Sequence, residues 1–105
     1  MQFKVAFIAH APDALPEKHR SVIETGKYKL TTVVVANQGQ ALAACKQLLE
    51  TDGLHSVLLC PGFTHRDVAD ISAALGKDVG VVVARGDGPS GRATADIMKQ
   101  AGWFS

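Results

Sequence analysis

The sequence is poor in several residue types, and each shortage excludes a class of protein. Its 105 residues include two cysteines, one tryptophan and one tyrosine. Cys45 and Cys60 form neither a C-x-x-C pair nor a disulfide framework, so we expect reduced thiols and a cytoplasmic location. The net charge of +1 and the scarcity of aromatic side chains argue against the basic, base-stacking surface of a nucleic-acid-binding protein.

Long apolar runs and metal-binding motifs are missing as well. No run approaches the roughly 18 apolar residues of a membrane-spanning helix, so we expect no membrane partner. The N-terminal MQFKVAFIAHAP lacks the basic start and long apolar core of a signal peptide and predicts a first strand. The four histidines and two cysteines show no H-E-x-x-H motif and no i, i+4 pair. We therefore expect neither a metal nor another cofactor.

The composition, with 47% hydrophobic and 20% charged residues, predicts one globular domain over residues 1–105. Four apolar segments predict strands, at residues 3–9, 29–36, 56–60 and 79–84. The last three contain continuous apolar runs, which are typical of strands covered on both faces of a parallel sheet.

Helix boundaries are marked by a proline at a first helical position, by capping side chains and by glycines past helix ends. These signals lie at Pro16, Asn37, Gly53, Thr64, Gly76 and Ser90. They predict helices over residues 16–24, 37–53 and 64–76, and a last helix capped by Ser90.

The alternation of strands and helices predicts an α/β fold with a single-layer, four-stranded, mostly parallel sheet flanked by helices. This architecture is Rossmann-like or flavodoxin-like, and we expect the four strands in the order 2-1-3-4. The alternative is a ferredoxin-like α+β fold, with antiparallel strands in a split βαβ sheet.

Ligands of open parallel sheets bind beyond the carboxyl ends of the strands, where this sequence places unusual polar residues. The candidate ligand-binding residues there are Asn37, Gly62, Arg85, Gly86, Gly88, Ser90, Gly91 and Arg92. Two arginines and two predicted helix starts favour an anion, so a small anionic metabolite is the predicted ligand.

Three of these residues, Gly86, Gly88 and Gly91, spell G-x-G-x-x-G between an apolar run and a predicted helix. A dinucleotide site needs a further strand and an acidic residue about 20 positions on, and neither follows before Ser105. Pro89 also removes an amide from the motif. We expect at most a single phosphate or carboxylate here, and the plainer alternative is a flexible connection into a packed helix.

An enzyme is the alternative to a binding protein. Cys60 ends the third predicted strand, His65 lies in the next helix and His10 ends the first strand. A Cys–His pair supports nucleophilic or proton-transfer chemistry, whereas most free cysteines are packed as small apolar residues.

A third alternative is a structural or interaction subunit without a ligand. The C-terminal pair of Trp103 and Phe104 predicts either packing on the sheet edge or contact with a second subunit. A chain this small favours the second, so we expect a homodimer.

Several short segments together resemble a family of bacterial α/β proteins of unknown function, roughly 100 residues long. They are Phe7-Ile8, Ala11-Pro12, residues 16–20, Cys60-x-Gly62-Phe63 and Gly80-Val81-Val82-x-x-Arg85. The likeness spans nearly the whole chain, although that family is expected to have glycine where this sequence has Pro61. The resemblance implies a compact α/β domain and supplies no catalytic residue.

Overall fold

The computed structural model describes residues 1–104, which form five strands and three helices. In chain order these are β1 (Phe3–His10), β2 (Arg20–Glu24), β3 (Tyr28–Val35), α1 (Gln38–Thr51), β4 (Ser56–Leu59), α2 (His65–Leu75), β5 (Gly80–Val83) and α3 (Gly88–Gln100). The strands form one sheet in the order β2-β3-β1-β4-β5. All neighbouring strands are parallel except β2, which is antiparallel to β3.

The α/β class is confirmed, and the four parallel strands have the predicted order 2-1-3-4. The prediction of a four-stranded sheet was wrong, because a fifth strand, β2, adds an antiparallel pair at one edge. The sheet is therefore mixed.

The predicted helix over residues 16–24 is the element that was wrong. Its second half, with the β-branched Val22 and Ile23, forms β2 instead. A hairpin turn follows, in which the Thr25 amide donates to the Tyr28 carbonyl (2.8 Å) and the Tyr28 amide donates to Thr25 Oγ1 (3.0 Å). Gly26 between two apolar segments was the hairpin signal in the sequence.

The predicted caps of α1 and α2 are confirmed. Asn37 Oδ1 accepts a hydrogen bond from the Gln40 amide (2.9 Å). Thr64 and Asp67 form a reciprocal capping box, in which each side chain accepts from the other residue's amide at 3.1 Å. Gly76 ends α2 with a φ of 86°, a conformation that glycine adopts without strain.

The start of α3 differs from the prediction. The helix begins at Gly88, with Pro89 in its first turn, so Ser90 lies inside the helix and is not its cap. Proline suits this position because its fixed φ matches the helix and its missing amide needs no partner. Asp87 occupies the capping position without a side-chain hydrogen bond.

The core lies between α1, α2 and one face of the sheet. Strand side chains alternate between the two faces of a sheet, and those on this face are enclosed by the helices. The core cluster includes Ala6, Ile8, Val33, Val35, Val57 and Leu59 of the strands, Ala41, Ala44, Cys45 and Leu48 of α1, and Ile71 and Leu75 of α2. None of the helices in residues 1–104 has the length and apolar character needed to cross a membrane.

Both crossover helices lie on the same face because the connections β3-α1-β4 and β4-α2-β5 progress in the same direction across the sheet. Right-handed crossovers then place both helices on one side. The connection from β1 to β3 progresses the other way and would place a helix on the second face. It contains the β2 hairpin instead, and α3 buries none of its residues.

We call this second face of the sheet the open face. Strand alternation and register assign to it Ser21 and Ile23 of β2, Tyr28, Leu30, Thr32 and Val34 of β3, Phe3, Val5, Phe7 and Ala9 of β1, Ser56 and Leu58 of β4, and Gly80 and Val82 of β5. Val5 is buried and yet lies outside the core cluster, which agrees with its assignment to this face.

Candidate functional site

A cavity of about 590 Å³ lies at the carboxyl ends of β1, β3 and β4. Its lining residues are Ala9, His10, Ala11, Pro12, Ala36, Cys60, Pro61, Gly62, Asp67, Thr94, Met98, Trp103 and Phe104. The floor comes from the strand ends and the loop before α2, while α3 and the segment after it supply one wall. The volume falls within the range of small-molecule sites, about 300–1,000 Å³.

A second depression, of about 400 Å³, lies beside α1 and the turn before β2. Its charged groups are Glu17 and Arg20, which have opposite signs, and it holds no cysteine or histidine. The cavity at the strand ends is the better candidate because it holds a thiol and an imidazole in contact.

His10 and Cys60 form that contact. His10 is the last residue of β1, and Cys60 directly follows β4, where its amide continues the ladder by donating to the Ile8 carbonyl (3.1 Å). The Sγ of Cys60 lies 3.8 Å from Nδ1 of His10, within hydrogen-bond distance for sulfur. The neighbouring parallel strands therefore bring together two side chains that can exchange a proton.

The imidazole of His10 is held in place by its neighbours. Its ring stacks on that of Phe63, with centroids 4.1 Å apart and an interplanar angle of 29°. Phe63 is itself part of the core cluster, so the stack anchors the imidazole to the folded interior. Gly62 permits this approach, because a Cβ at that position would lie 2.9 Å from His10 Nδ1.

Burial lowers the pKa of His10 below its ordinary value of 6.5, and the nearby negative charge of Asp67 partly opposes this shift. The neutral imidazole is therefore the favoured form at neutral pH. A neutral imidazole can accept a proton from a thiol through its unprotonated nitrogen.

Two of the helix N-termini at this edge of the sheet, those of α1 and α2, are partly satisfied by capping side chains. At α1, the Ala36 amide donates to Gln40 Oε1 (2.7 Å), in addition to the Asn37 cap. At α2, the capping box satisfies the amides of Thr64 and Asp67, and the Asp67 carboxylate lies in the first turn. An anion would have to compete with these side chains for the amides that usually bind it.

The structure brings three of the predicted site residues, His10, Cys60 and Gly62, into the cavity lining. Two others do not line it: Asn37 is occupied as the α1 cap, and His65 is exposed at the start of α2. The predicted residues in and beside the glycine motif do not line the cavity either. They are Arg85, Gly86, Gly88, Ser90, Gly91 and Arg92. These six are all exposed, in the β5–α3 connection and the first turns of α3.

Sequence reasoning missed Asp67 as a lining residue, although the start of its helix follows the same strand end. It also missed Thr94 and Met98, which lie four residues apart and thus on one side of α3. Trp103 and Phe104 return to the strand ends and line the cavity while 37% and 53% exposed. The i, i+4 spacing of Thr94 and Met98 and the aromatic pair after them could have suggested one shared surface. The sequence did not indicate which part of the fold this surface faces.

No group of three or more His, Cys, Asp or Glu side chains suited to a metal ion occurs within residues 1–104. The family model described as "Family of unknown function (DUF6506)" matches residues 3–99 of the chain. Searches of the curated proteins and of the solved structures found no match to the chain.

Proposed function

The chain belongs to the DUF6506 family, and because that family has no known function, we propose one from the site: binding of a small, largely apolar molecule that is neutral or positively charged. The binding place is the cavity at the carboxyl ends of β1, β3 and β4. The observation that carries the proposal is the chemistry of the lining.

Most of the lining is apolar. Alanine and proline side chains form its base, and Met98, Trp103 and Phe104 form its wall. Two aromatic rings and a thioether favour a planar ligand, since such groups contact ring faces and edges well. His10, Cys60 and Thr94 supply the few polar groups that would orient it.

The charge of the lining argues against the anion predicted from the sequence. Within residues 1–104, Asp67 is the one Asp, Glu, Lys or Arg that lines the cavity, and neither Arg85 nor Arg92 lines it. A carboxylate in a partly desolvated cavity attracts a cation or a hydrogen-bond donor and repels an anion. An amine, amidine or ring N–H directed at Asp67 would fit both the charge and the apolar surroundings.

A thermal-shift panel tests this proposal. Planar amines, amidines and neutral heteroaromatics form one arm, and sugar phosphates and dicarboxylates form the other. A ligand at 100 times its dissociation constant should stabilise the fold by about 2.7 kcal/mol. We expect stabilisation only in the first arm, and stabilisation only by phosphates or dicarboxylates would refute the proposed ligand class.

Two substitutions locate the binding. Thr94→Trp fills the cavity from α3, and Ala95→Trp places the same side chain at an exposed neighbour outside the lining. Thr94→Trp should abolish the shift while Ala95→Trp preserves it. Asp67→Asn keeps an oxygen for the Thr64 amide and removes the charge, so it should weaken cationic ligands more than neutral ones.

A second candidate function is favoured by one specific observation, the 3.8 Å contact between Cys60 Sγ and His10 Nδ1. In this candidate the protein is an enzyme: His10 takes the thiol proton, and the Cys60 sulfur adds to a carbonyl carbon of the bound molecule. The C=O π bond breaks as the C–S bond forms, and the resulting alkoxide oxygen takes the proton back from His10. The two candidates share the cavity and differ at Cys60. Cys60→Ser should leave ligand affinity unchanged in a binding protein and abolish turnover in an enzyme.

Three expectations from the sequence accompany the proposal. They are a cytoplasmic location, a bacterial source and a homodimeric assembly. Reduced cysteines support the first. The resemblance is the basis of the second, and the small size of the chain is the basis of the third.

A further inference from the structure

We propose that the open face is the interface between two copies of this chain, packed sheet against sheet around a two-fold axis. This surface is separate from the cavity for most of its extent. It runs across all five strands, whereas the cavity lies beyond the ends of three of them, β1, β3 and β4.

The composition of the open face is that of an interior. None of the side chains that the described strands place there is Asp, Glu, Lys or Arg. Phe3, Ile23 and Val82 are 51%, 60% and 51% exposed, respectively. A sheet face that meets water normally carries polar side chains in alternation with the apolar ones beneath. Here both faces of the sheet are apolar, so we expect the open face to be covered by another molecule.

The three helices of the chain itself pack at other places and do not cover the open face. α1 and α2 contribute their apolar side chains to the core on the other face. α3 supplies Thr94 and Met98 to the cavity at the strand ends, and it begins only five residues after β5 ends at Val83. A helix that forms the cavity wall cannot also lie over the middle of the open face.

The area of the open face suits a second copy. Strands β1 and β3 have eight residues each, β2 has five, and β4 and β5 have four each, which makes 29 strand residues. At about 3.3 Å per residue along a strand and about 4.8 Å between strands, they cover roughly 460 Å² per copy in projection. Two copies would together bury about 900 Å² in projection, and the relief of the side chains brings the accessible area toward the roughly 1,200 Å² at which specific interfaces begin.

The absence of charge also favours a second copy over an unrelated partner. Unlike partners are usually oriented by complementary charge, and the strands of this face offer none, since Asp13 and Lys27 lie only at its rim, beside Val34 and Phe3. A two-fold pair needs only a surface that matches itself, and two aligned apolar sheets pack with interdigitated side chains about 10 Å apart. Thr32 and Ser56 are small hydroxyl side chains that can pair across such an interface.

Sedimentation equilibrium with matched variants tests the proposal. At micromolar concentration we expect a species of twice the 11.1 kDa chain mass. Ile23→Glu and Val22→Glu are matched changes, because these neighbours in β2 are similarly exposed (60% and 52%) but point to opposite faces. Ile23→Glu combined with Val82→Glu should raise the dissociation constant at least about tenfold. Val22→Glu should leave it unchanged.

Circular dichroism of each variant confirms that the fold is retained, since all substituted side chains are at least half exposed. A monomeric wild-type chain at 100 micromolar would overturn the proposal. Dissociation by Val22→Glu to the same extent as by the paired variant would also overturn it. So would dissociation by Ile97→Glu alone, because it would place α3 in the interface. Ligand-induced thermal shifts in the monomeric variant test the cavity separately.

Discussion

His10 and Cys60 are 50 positions apart in the chain, and their Nδ1 and Sγ atoms lie 3.8 Å apart. The contact arises because β1 and β4 are parallel neighbours that end at the same edge of the sheet. The Phe63 stack and the absence of a side chain at Gly62 hold it in place.

The reactivity of Cys60 should depend on His10. We expect His10→Gln to slow alkylation of Cys60 by iodoacetamide about tenfold, because the base that accepts the thiol proton is lost. Cys45 is an internal control: it is buried, and burial raises its pKa to about 11, so it should stay unmodified in the native protein. Peptide mass spectrometry follows both sites. Equal alkylation rates in both proteins would show that the contact does not activate the thiol.

The stability of the protein should fall at mildly acidic pH because of His10. Burial lowers the pKa of this group in the folded state, so between pH 6.5 and that lower pKa the unfolded chain binds more protons. The contribution of the neutral His10 to the free energy of unfolding is complete above pH 6.5 and is lost as the pH falls from 6.5 through the lower pKa of the folded state. Urea unfolding at about pH 7.5 and 5.5 should therefore show a larger loss for the wild type than for His10→Gln. The same loss in both would contradict the assignment to His10.

Gly62→Ala should destabilise the fold and disturb the pair. Its Cβ would lie 2.9 Å from His10 Nδ1, and the imidazole cannot move freely because it stacks on the buried Phe63. We expect a loss of about 1–3 kcal/mol in the free energy of unfolding. Gly86→Ala is the control, since nothing lies within 4 Å of a Cβ there, and its effect should stay within about 0.5 kcal/mol. Equal effects of the two substitutions would exclude the close approach.

The α2 capping box should contribute measurably to stability. Thr64→Ala removes the oxygen that accepts from the Asp67 amide, and we expect a loss of about 1 kcal/mol in urea unfolding. Thr64→Ser retains that oxygen and should lose much less. If alanine and serine behave alike, the hydroxyl contributes nothing and the Asp67 carboxylate alone caps the helix.

Hydrogen exchange should distinguish α3 from α1. Four residues of α1 are buried in the core, whereas none of α3 is buried. We expect α3 amides to exchange at least about tenfold faster than α1 amides, because helices with few buried contacts open locally. A compound that binds the cavity contacts Thr94 and Met98 and should slow exchange in α3 alone. Equal protection of the two helices in the free protein would contradict this prediction.

Much of the fold could be predicted from the sequence, because its signals are local. Apolar segments identified the four parallel strands, and Asn37, Thr64 and Gly76 identified the helix ends. These features depend on a residue and its near neighbours. The 2-1-3-4 order came instead from the doubly wound architecture that the alternation of strands and helices suggests.

The candidate site was only partly predictable. The strand-end argument predicted that His10, Cys60 and Gly62 lie together, and all three line the cavity because parallel strands end at one edge. It also predicted Arg85 and Arg92 there, and both lie outside the lining, because a motif next to a strand end need not point at the neighbouring ends. The path of α3 directs Thr94 and Met98 toward the cavity, and its exposed first turns carry Arg92 away from the lining.

The sequence by itself determined the parallel core of the sheet, the two capped helices and the residues at the strand ends. Only the tertiary structure decided that residues 20–24 pair with β3 as an edge strand. Helix and strand propensities differ by little over five residues, and the hydrogen bonds that β3 offers outweigh them. That single pairing removes a helix from the first crossover and leaves one sheet face without a covering helix, while α3 and its aromatic end form one wall of the cavity.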